Sequence, residues 1–566
     1  MKDALNREGA INHFIKNPNV TVLIVGAGVN GIGTFRDLAL QGVDVLIVDR
    51  GDYCSGASSA SSHMVHGGIR YLENGEFKLV REAVHERNLL IENAPHQVKP
   101  LPTVFPIFKW FSGLLNAPFK FLGLLDKPSE RGAVVIKIGM TFYDLFTRKQ
   151  QTVPRHVFAN RRKTLAKFPK MNKDILFTGT YYDGAMRSPE RICIELLADT
   201  LKASDRAYAA NYVRADRVEG KQVVLVDELT GEQFSVTPEI VINASGPWID
   251  FTNFALGSQT QMIGGTKGSH LILDHPELRD QIKGHEIFFE NKDGRIVLIY
   301  PLKDKIMIGS TDIRVDDPDS VRCTEEEIDY FFEMVTHIFP EIRLDRSQIV
   351  YRFSGVRPLP FAPEGFTGQI SRNHKLDYTP PSENAAFPIY SMIGGKWTSF
   401  RAFSEQTTDV ILETLGFERK VDTRDLKIGG AAGLPADETG LAQYQAMLVE
   451  KTGAPQSLVA RFVSRYGTGA EELLAQKAVI SPTGYWTLDE YSPEEIAYLA
   501  KKEDVLHLDD LILRRTMIAK LGMLDRNVLD ELAGVVAQSI GWSAEFQRDE
   551  IRRTKEILKD RHGIEL

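Results

Sequence analysis

The chain has 566 residues, of which 43% are hydrophobic and 25% charged, with a formal net charge of −8. This length exceeds what one hydrophobic core usually supports, so we expect roughly two or three globular domains. The acidic balance argues against a general nucleic-acid-binding protein. Cys54, Cys193 and Cys323 lie far apart and form no CxxC pair, so we expect no disulfide framework and no metal site.

Residues 1–18 lack the apolar core that a secretory signal needs and are too acidic for a typical transit peptide. We interpret them as a short solvated arm. No uninterrupted apolar run in the sequence reaches the roughly 20 residues that a membrane-spanning helix needs. The chain is therefore predicted not to cross a membrane, although it can still lie on one.

The first predicted elements are a strand, a glycine turn that opens a helix, and a second strand that ends in a carboxylate. The turn carries Gly26, Gly28 and Gly31, and the carboxylate is Asp49. Glycine permits the tight turn, the approach of a pyrophosphate and the packing of helix on strand, while the helix N-terminus faces the phosphates. Asp49 is placed to accept a hydrogen bond from a ribose 2′-hydroxyl. The pattern predicts an adenosine-diphosphate site for FAD or NAD.

Residues 51–62 are mostly small, cannot build a core and are expected to run against a bulky cofactor. An amphipathic helix is predicted over residues 77–93. Residues 104–125 are strongly apolar and aromatic, with two lysines spaced through them. This segment has two interpretations: a buried core hairpin, or a membrane-surface element whose aromatic rings sit at the lipid boundary.

Further strands are predicted over residues 222–226, 239–243, 295–300 and 305–312, and the second of these ends near Gly246, where the backbone can approach a ligand. A helix is predicted over residues 399–415, directly after a pair of glycines. From about residue 434 the sequence favours helices and shows few strand signals.

These later glycine-rich segments indicate an FAD domain assembled from distant parts of the chain, which an NAD site would not require. Four strings, residues 61–73, 267–270, 354–359 and 394–398, occur in an order that resembles the FAD-dependent glycerol-3-phosphate dehydrogenases of the aerobic, quinone-linked type. The resemblance covers nearly the whole chain. It implies an α/β fold: a Rossmann-like FAD-binding domain, a mixed-sheet substrate-binding cap of the glutathione-reductase and amino-acid-oxidase superfamily type, and an α-helical C-terminal domain.

We therefore expect interleaved FAD-binding and substrate-binding domains over residues 19–423 and a helical domain over residues 424–566. The expected FAD segments are about 19–90, 170–250 and 350–420, and the expected cap segments are about 91–169 and 251–349. In the helical domain, Arg514 and Arg515 mark either an interface or a solvated helix face.

Three places depart from the family pattern. His63 stands where the family usually has lysine, Ser310 where it usually has threonine, and residues 183–191 lack the usual Asp-Ala-Arg triplet. These departures leave the polyol phosphate open between sn-glycerol 3-phosphate and a longer one such as erythritol phosphate. They hardly affect the reaction type.

A polyol phosphate offers a dianion and a secondary alcohol carbon that loses hydride, so its site needs cations, a base and a flavin face. The resemblance implies that Arg70 and Arg357 meet the phosphate and the developing alkoxide, because a guanidinium suits both. His270 is the candidate base, since an imidazole titrates near working pH, with Arg357 or Tyr71 as alternatives. Lys396 completes the predicted substrate residues.

A second helix N-terminus, after Gly394 and Gly395, is expected to face the flavin's pyrimidine edge. The full set of predicted FAD-binding residues is Gly26, Gly28, Asn30, Gly31, Asp49, Arg50, Ser58, Ser59, Ser61, Ser62, His66, Gly67, Gly68, Val213, Gly246, Gly394, Gly395, Lys396 and Thr398.

The resemblance implies a membrane quinone as electron acceptor, with oxygen as the alternative. We also expect a homodimer and a cytoplasmic protein that is peripherally associated with the inner face of the cytoplasmic membrane. Two other function classes compete. An amine or amino-acid oxidase shares the architecture but gives no reason for the polyol-phosphate strings, and a non-catalytic membrane-resting protein predicts a flavin that no substrate bleaches.

Overall fold

The computed structural model describes residues 5–69, 76–110, 133–147, 152–291, 296–362, 373–476 and 486–566. Its strands form two β-sheets, and a group of helices follows them in the chain. The strands are β1 (Asn19–Val25), β2 (Val45–Val48), β3 (Met64–Val65), β4 (Val98–Ile107), β5 (Val157–Asn160), β6 (Phe177–Met186), β7 (Ala207–Ala210), β8 (Val213–Glu219), β9 (Gln222–Asp227), β10 (Gln233–Asn243), β11 (Thr266–Leu273), β12 (Glu286–Glu290), β13 (Ile296–Leu302), β14 (Lys305–Gly309), β15 (Ile313–Arg314), β16 (Ile349–Arg357), β17 (Lys375–Thr379) and β18 (Ile389–Ile393).

The described α-helices are α1 (Arg7–Lys16), α2 (Val29–Leu40), α3 (Phe77–Asn93), α4 (Ala133–Thr147), α5 (Arg161–Lys167), α6 (Pro189–Ala203), α7 (Ile249–Ala255), α8 (Pro276–Ile282), α9 (Glu325–Ile338), α10 (Phe400–Leu415), α11 (Glu438–Thr452), α12 (Gln456–Tyr466), α13 (Ala470–Ala475), α14 (Pro493–Lys502), α15 (Leu508–Asp510), α16 (Arg526–Ile540) and α17 (Ala544–His562).

The first sheet has the strand order β17-β18-β10-β1-β2-β7, and its central pairs are parallel. Val22, Leu23 and Ile24 of β1 are fully buried, as expected of a parallel strand covered on both faces. Helix α2 packs on this sheet beside α6 and α10. Strand β1 therefore delivers the start of α2 to the carboxyl edge of a buried sheet.

The second sheet has the order β15-β11-β14-β13-β12-β4-β6-β3, with β16 paired to β11 and β5 to β6. Side chains of β11 alternate between its two faces. Leu271 and Leu273 pack with α8 and α9, whereas Ile272 packs with the C-terminal helices. The helical domain thus covers one face of the second sheet.

Within the helical domain, one π-helical turn, Leu511–Arg515, follows α15 directly. Arg514 and Arg515 lie in this turn, are buried and bind Asp52 of the first domain. They therefore mark an interface within the chain, and the alternative of a solvated helix face is wrong.

The amino-terminal segment differs from the predicted solvated arm, because residues 7–16 form helix α1. Ala10 and Phe14 of this helix are buried against the first sheet. Arg7 donates to an Asp227 carboxylate oxygen at 2.5 Å. An apolar stripe at i and i+4 spacing accounts for the docking.

The two helices predicted near the glycine segments are confirmed. The predicted 77–93 helix has the bounds of α3, and α10 begins at Phe400, one residue later than predicted. Domain segmentation is different from prediction at three strands. The structure places β3, β6 and β16 in the second sheet, where β3 pairs with β6, β6 also pairs with β4, and β16 pairs with β11, although all three lie in predicted FAD segments.

Only the first part of the apolar segment over residues 104–125 lies within the described residues. Residues 104–107 end β4 and are buried in the second sheet, which supports the core interpretation for them. Residues 111–125 lie outside the described residues. In the described part of the chain, no helix is both long enough and apolar enough to cross a bilayer.

Candidate active site

A cavity of about 340 Å³ lies between the two sheets. One wall comes from the start of α2 and from residues 57–69. A second comes from β11, β16 and the residues after β14, and a third from residues 394–398 before α10. Segments more than 300 positions apart therefore meet around one space.

At the turn between β1 and α2, two glycines have no space for a side chain. Gly26 has a φ of 108°, and a Cβ there would lie 2.6 Å from the Ala244 carbonyl oxygen. A Cβ on Gly31 would lie 2.0 Å from the Gly26 oxygen. Gly28 is the N-cap of α2 and has no side chain that could cap the helix. The Ser58 hydroxyl accepts from the Val29 N–H at 2.9 Å, and the start of α2 lines the cavity with its backbone N–H groups, as a diphosphate site requires.

Asp49 ends β2 beside this turn and holds it through two hydrogen bonds. Its carboxylate accepts from the Ala27 N–H at 2.7 Å and the Gly51 N–H at 2.9 Å. Burial raises the pKa of Asp49 to about 6 against these two bonds. The residues at this turn fit the adenosine diphosphate of FAD.

The third wall is tied to the first by side chains that bind backbone groups. The Thr398 hydroxyl accepts from the His66 N–H and lies 3.1 Å from the His66 carbonyl oxygen, to which it donates. The Trp397 indole donates to the Ser58 carbonyl at 2.9 Å. Gly394 and Gly395 have φ values of 74° and 93°, which glycine adopts without strain. Two glycines therefore lie on the cavity wall shortly before a helix N-terminus, which is the arrangement predicted for the flavin's edge.

Arg357 projects from β16 and is fixed by neutral and acidic oxygens. Its guanidinium donates to the Ser310 hydroxyl at 2.9 Å, the Thr311 carbonyl at 3.1 Å and the Asp312 carboxylate at 3.3 Å. Gly268 on the paired strand leaves the necessary space, since a Cβ there would lie 2.2 Å from a guanidinium nitrogen. This arrangement holds a cation on the cavity wall.

A buried carboxylate supports that platform from behind. Glu327 of α9 accepts from the Lys267 ammonium at 2.8 Å, the Ser269 hydroxyl at 2.9 Å and the Thr311 hydroxyl at 2.6 Å. Burial opposes ionisation of Glu327, but the Lys267 and Thr311 bonds keep its pKa below the ordinary value. The Lys-Gly-Ser-His string thus orders the site as well as lining it.

His270 lies on the same wall and is held by two neighbours. Its Nε2 is 2.7 Å from the Ser62 hydroxyl, and its ring stacks on Phe353 with centroids 4.8 Å apart and planes 7° from parallel. Its Nδ1 is buried without a hydrogen-bond partner among the described residues. Burial first, then Arg357 and Lys520, lowers the pKa of His270 to about 3. The expectation that this imidazole titrates near working pH is therefore wrong, and His270 is neutral there.

The predicted residues other than Arg50 fall into three groups. Those on the cavity wall are His270, Arg357, Lys396, Asn30, Ser58, Ser61, Ser62, His66, Gly68, Gly394, Gly395 and Thr398. Those behind it or at its turns are Gly26, Gly28, Gly31, Asp49, Ser59, Gly67, Val213 and Gly246. Arg70 and Tyr71 lie outside the described residues.

Arg50 is not on the wall of the cavity. Its half-exposed guanidinium pairs with Asp319 and lies 4.7 Å from the centre of the Trp248 ring. An ion pair and a cation–π contact at the surface account for its position.

Sequence reasoning missed several wall residues, of which Asp183 of β6 is the most constrained. Its carboxylate accepts from the Gly67 N–H at 3.0 Å, from Arg87 at 3.3 Å and from the Tyr143 hydroxyl. Burial raises the pKa of Asp183 above its ordinary value. A single acidic residue inside a strand gives no local signal. Ser310, Thr311 and Asp312 also line the cavity, and of these the sequence singled out only Ser310, as a departure from the family pattern.

The glycine turn, the parallel first sheet and the second sheet across the cavity define an FAD-dependent oxidoreductase, and comparison with known proteins agrees. Residues 21–378 match the family described as FAD dependent oxidoreductase, and residues 421–547 match the C-terminal domain of alpha-glycerophosphate oxidase. The first match covers more than half of the chain. The predicted fold class is confirmed, and FAD is the cofactor.

Known relatives identify the family within this class of oxidoreductases. A glycerol-3-phosphate dehydrogenase from Synechocystis is 31% identical, over 96% of this chain and 97% of its own length. An aerobic glycerol-3-phosphate dehydrogenase from Staphylococcus haemolyticus is 25% identical, over 96% of both chains. The crystal structure of the Bacillus halodurans glycerol-3-phosphate dehydrogenase with FAD shares the fold, with a TM-score of 0.75, 23% identity and coverage of 99% and 98%. The chain belongs to the FAD-dependent glycerol-3-phosphate dehydrogenase family.

Proposed function

We propose that this protein oxidises sn-glycerol 3-phosphate to dihydroxyacetone phosphate and passes the electrons to a membrane quinone. The observation that carries the proposal is the placement of a neutral histidine and an anchored arginine on one cavity wall, with glycine turns on the others. The names of the relatives support the same substrate.

In this proposal His270 accepts the proton of the substrate's secondary hydroxyl. His270 Nδ1 is buried, so the ring nitrogen proposed to accept the proton is Nε2, which lies 2.7 Å from the Ser62 hydroxyl on the cavity wall. The Arg357 guanidinium stabilises the negative charge that develops on the substrate oxygen. When bound, FAD supplies the acceptor for the hydride that leaves the substrate carbon. Arg70 remains the predicted partner of the phosphate, and Tyr71 remains a predicted substrate residue and an alternative proton acceptor.

Anaerobic addition of sn-glycerol 3-phosphate to the purified holoprotein tests the substrate. We expect the oxidised flavin absorbance to bleach with this compound and to persist with L-amino acids. Bleaching by an erythritol phosphate alone would replace the substrate and keep the reaction class. Persistence of the absorbance with every polyol phosphate would contradict the proposal.

An exposed apolar helix face supports the membrane part of the proposal. On α4, Ile138, Phe142 and Leu145 are each close to half exposed, whereas Ile136 and Met140 on its other side are buried. Trp110, which is also exposed, is the last described residue before α4. A surface-lying helix with apolar side chains outward suits the lipid boundary, and a quinone would reach the protein from there. We accordingly propose a cytoplasmic protein bound peripherally to the inner face of the cytoplasmic membrane.

Co-sedimentation with phospholipid vesicles tests this surface. We expect the Ile138→Ser and Phe142→Ser double variant to lose most vesicle binding and most electron transfer to a vesicle-borne quinone, while keeping substrate bleaching. Phe254→Ser is the matched control, because Phe254 is exposed on α7. Equal vesicle binding by the double variant and the control would exclude α4. Hydrogen peroxide release at the full turnover rate would favour oxygen as acceptor.

The homodimer that the resemblance implies is also a proposal. Sedimentation analysis of the purified holoprotein tests it.

A further inference from the structure

The helical domain places one buried cation close to the cavity without lining it. Lys520 is 3% exposed, and its ammonium lies 2.5 Å from a Glu190 carboxylate oxygen. The same nitrogen is 3.3 Å from His63 Nε2 and 3.4 Å from the Ser59 carbonyl oxygen. Lys520 thus joins the helical domain to helix α6 and to residues 59–63.

Lys520 contacts both neighbours that hold His270 in place, which are the 59–63 stretch and the Phe353 ring. Residues 59–63 include Ser62, whose hydroxyl is 2.7 Å from His270 Nε2. Phe353, on which the His270 ring stacks, has its ring centre 5.9 Å from the Lys520 ammonium. A change at Lys520 therefore reaches the imidazole through its hydrogen-bond partner and through its stacking partner.

The 59–63 stretch needs support from outside itself. His63 is fully buried and has a φ of 56°, a left-handed conformation that few residues other than glycine adopt. Such a conformation persists where the surroundings fix it. The His63 ring is fixed on one side by the Met186 carbonyl, 3.3 Å from Nδ1, and on the other by Lys520.

We propose that Lys520, anchored by Glu190, is a positioning residue: it fixes residues 59–63 against His270 and keeps a positive charge near the imidazole. The proposal rests on the proposed role of His270 as proton acceptor. Lys520 does not line the cavity, so its effect passes through other side chains.

The charges around His270 set the direction of the effect. Arg357 of β16 and Lys520 both lower the pKa of His270, after burial. Among the described residues, the titratable groups around His63 and Lys520 include Glu190 of α6, Tyr300 of β13 and Tyr351 of β16. Loss of the Lys520 charge leaves Glu190 uncompensated, so the proton affinity of His270 rises.

Histidine-selective NMR of the holoprotein measures this directly, with His270→Asn to assign the signal. In Lys520→Gln we expect the His270 midpoint to move to higher pH by about one unit and the ring to lose its single tautomer. Lys520→Arg, which keeps the charge, should retain most of the wild-type midpoint. Anaerobic flavin reduction by sn-glycerol 3-phosphate should slow about tenfold in Lys520→Gln, with substrate affinity little changed.

Glu503→Gln is the matched control. Arg191, next to Glu190 on α6, forms a buried pair with Glu503 of the helical domain. In the described part of the chain, neither of their side chains hydrogen-bonds to residues 59–63. We expect the Glu503→Gln variant to have a lower melting temperature, as the Lys520→Gln variant does. The titration midpoint and the tautomer of His270 should stay unchanged in Glu503→Gln.

An unchanged His270 signal in Lys520→Gln would overturn the proposal, as would an equal change in Glu503→Gln. If Lys520→Gln does not fold, Glu190→Gln replaces it, with the opposite expected shift of the midpoint, and no shift there overturns the proposal. The NMR readout needs no turnover. Failure of every polyol phosphate to bleach the wild type would therefore refute the proposed function and leave the positioning role separately measurable.

Discussion

Gly268 determines where the charge of Arg357 can lie. The two residues sit on paired strands, and the guanidinium occupies the space that a Cβ at position 268 would need. Arginine cannot move far without losing its bonds to the Ser310 hydroxyl and the Thr311 carbonyl. One missing methyl group thus fixes the position of a cation.

Gly268→Ala should therefore impair the site without changing its charge. We expect kcat/KM for sn-glycerol 3-phosphate to fall about 10²-fold, because a displacement near 1 Å has that cost, while FAD remains bound. Steady-state kinetics and the flavin content of the purified variant measure both. Gly534→Ala on helix α16, where the nearest atom to an added Cβ would be 3.9 Å away, controls for substitution itself. Unchanged kinetics in Gly268→Ala would remove Arg357 from the mechanism.

Glu286 of β12 is a second residue whose surroundings decide its charge. It is fully buried, and the Thr103 hydroxyl donates to it at 2.8 Å. Burial raises its pKa from 4.5 to about 8, so the folded protein holds a proton that the unfolded chain releases. Stability from this group is complete below pH 4.5 and is lost as the pH rises to about 8.

Glu286→Gln keeps the shape of the side chain and removes the loss of stability that accompanies the rise in pH. Its stability relative to wild type should rise by about 1.4 kcal/mol for each pH unit between pH 4.5 and about 8 and stay constant above. Chemical unfolding at several pH values measures the difference. A constant difference across that range would mean that Glu286 is ionised in the folded protein.

At the scale of the element, helix α4 is apolar on two sides. Its inner side carries Tyr143, whose hydroxyl donates to Asp183, accepts from the Gly67 N–H at 3.1 Å and from Arg87 at 2.8 Å. The outer side carries the exposed residues proposed to meet lipid. One helix thus joins the proposed membrane surface to the cavity wall.

Tyr143→Phe should loosen that junction. We expect a loss of about 1–2 kcal/mol of stability and weaker FAD retention, because Asp183 and Arg87 each lose a buried partner. Thermal unfolding and flavin release on dilution measure these effects. Thr141→Ala on the exposed side of the same helix is the control. Identical behaviour of the two variants would show that the Tyr143 hydroxyl contributes nothing to the wall.

For the whole molecule, Asp52 connects the first domain with the helical domain. Its carboxylate accepts from Arg514 at 2.5 Å and from Arg515 at 2.8 Å, and all three side chains are buried. Burial opposes its ionisation, but Arg515 and Arg514 hold the pKa of Asp52 below its ordinary value. The domains are therefore joined by a buried ionic cluster as well as by apolar packing.

Asp52→Asn should destabilise the whole chain. Removing one charge leaves two buried arginines short of a partner, which costs about 3–5 kcal/mol. We expect calorimetry to show one unfolding transition at lower temperature. Asp549→Asn, in an exposed pair with Arg552, should leave that temperature unchanged. A first domain that melts unaltered in Asp52→Asn would show that the two parts are energetically independent.

The sequence by itself determined the glycine turn, the carboxylate at Asp49, the helices that became α3 and α10, and the family, because these depend on residues close in the chain. Only the tertiary structure decided that β6 and β16 join the second sheet, that α1 docks, and that Asp183 reaches the cavity wall. It also placed Lys520 beside His63 and lowered the pKa of His270 to about 3. Strand partners, burial and ion pairs depend on groups hundreds of positions apart, and local sequence carries no record of which groups will meet.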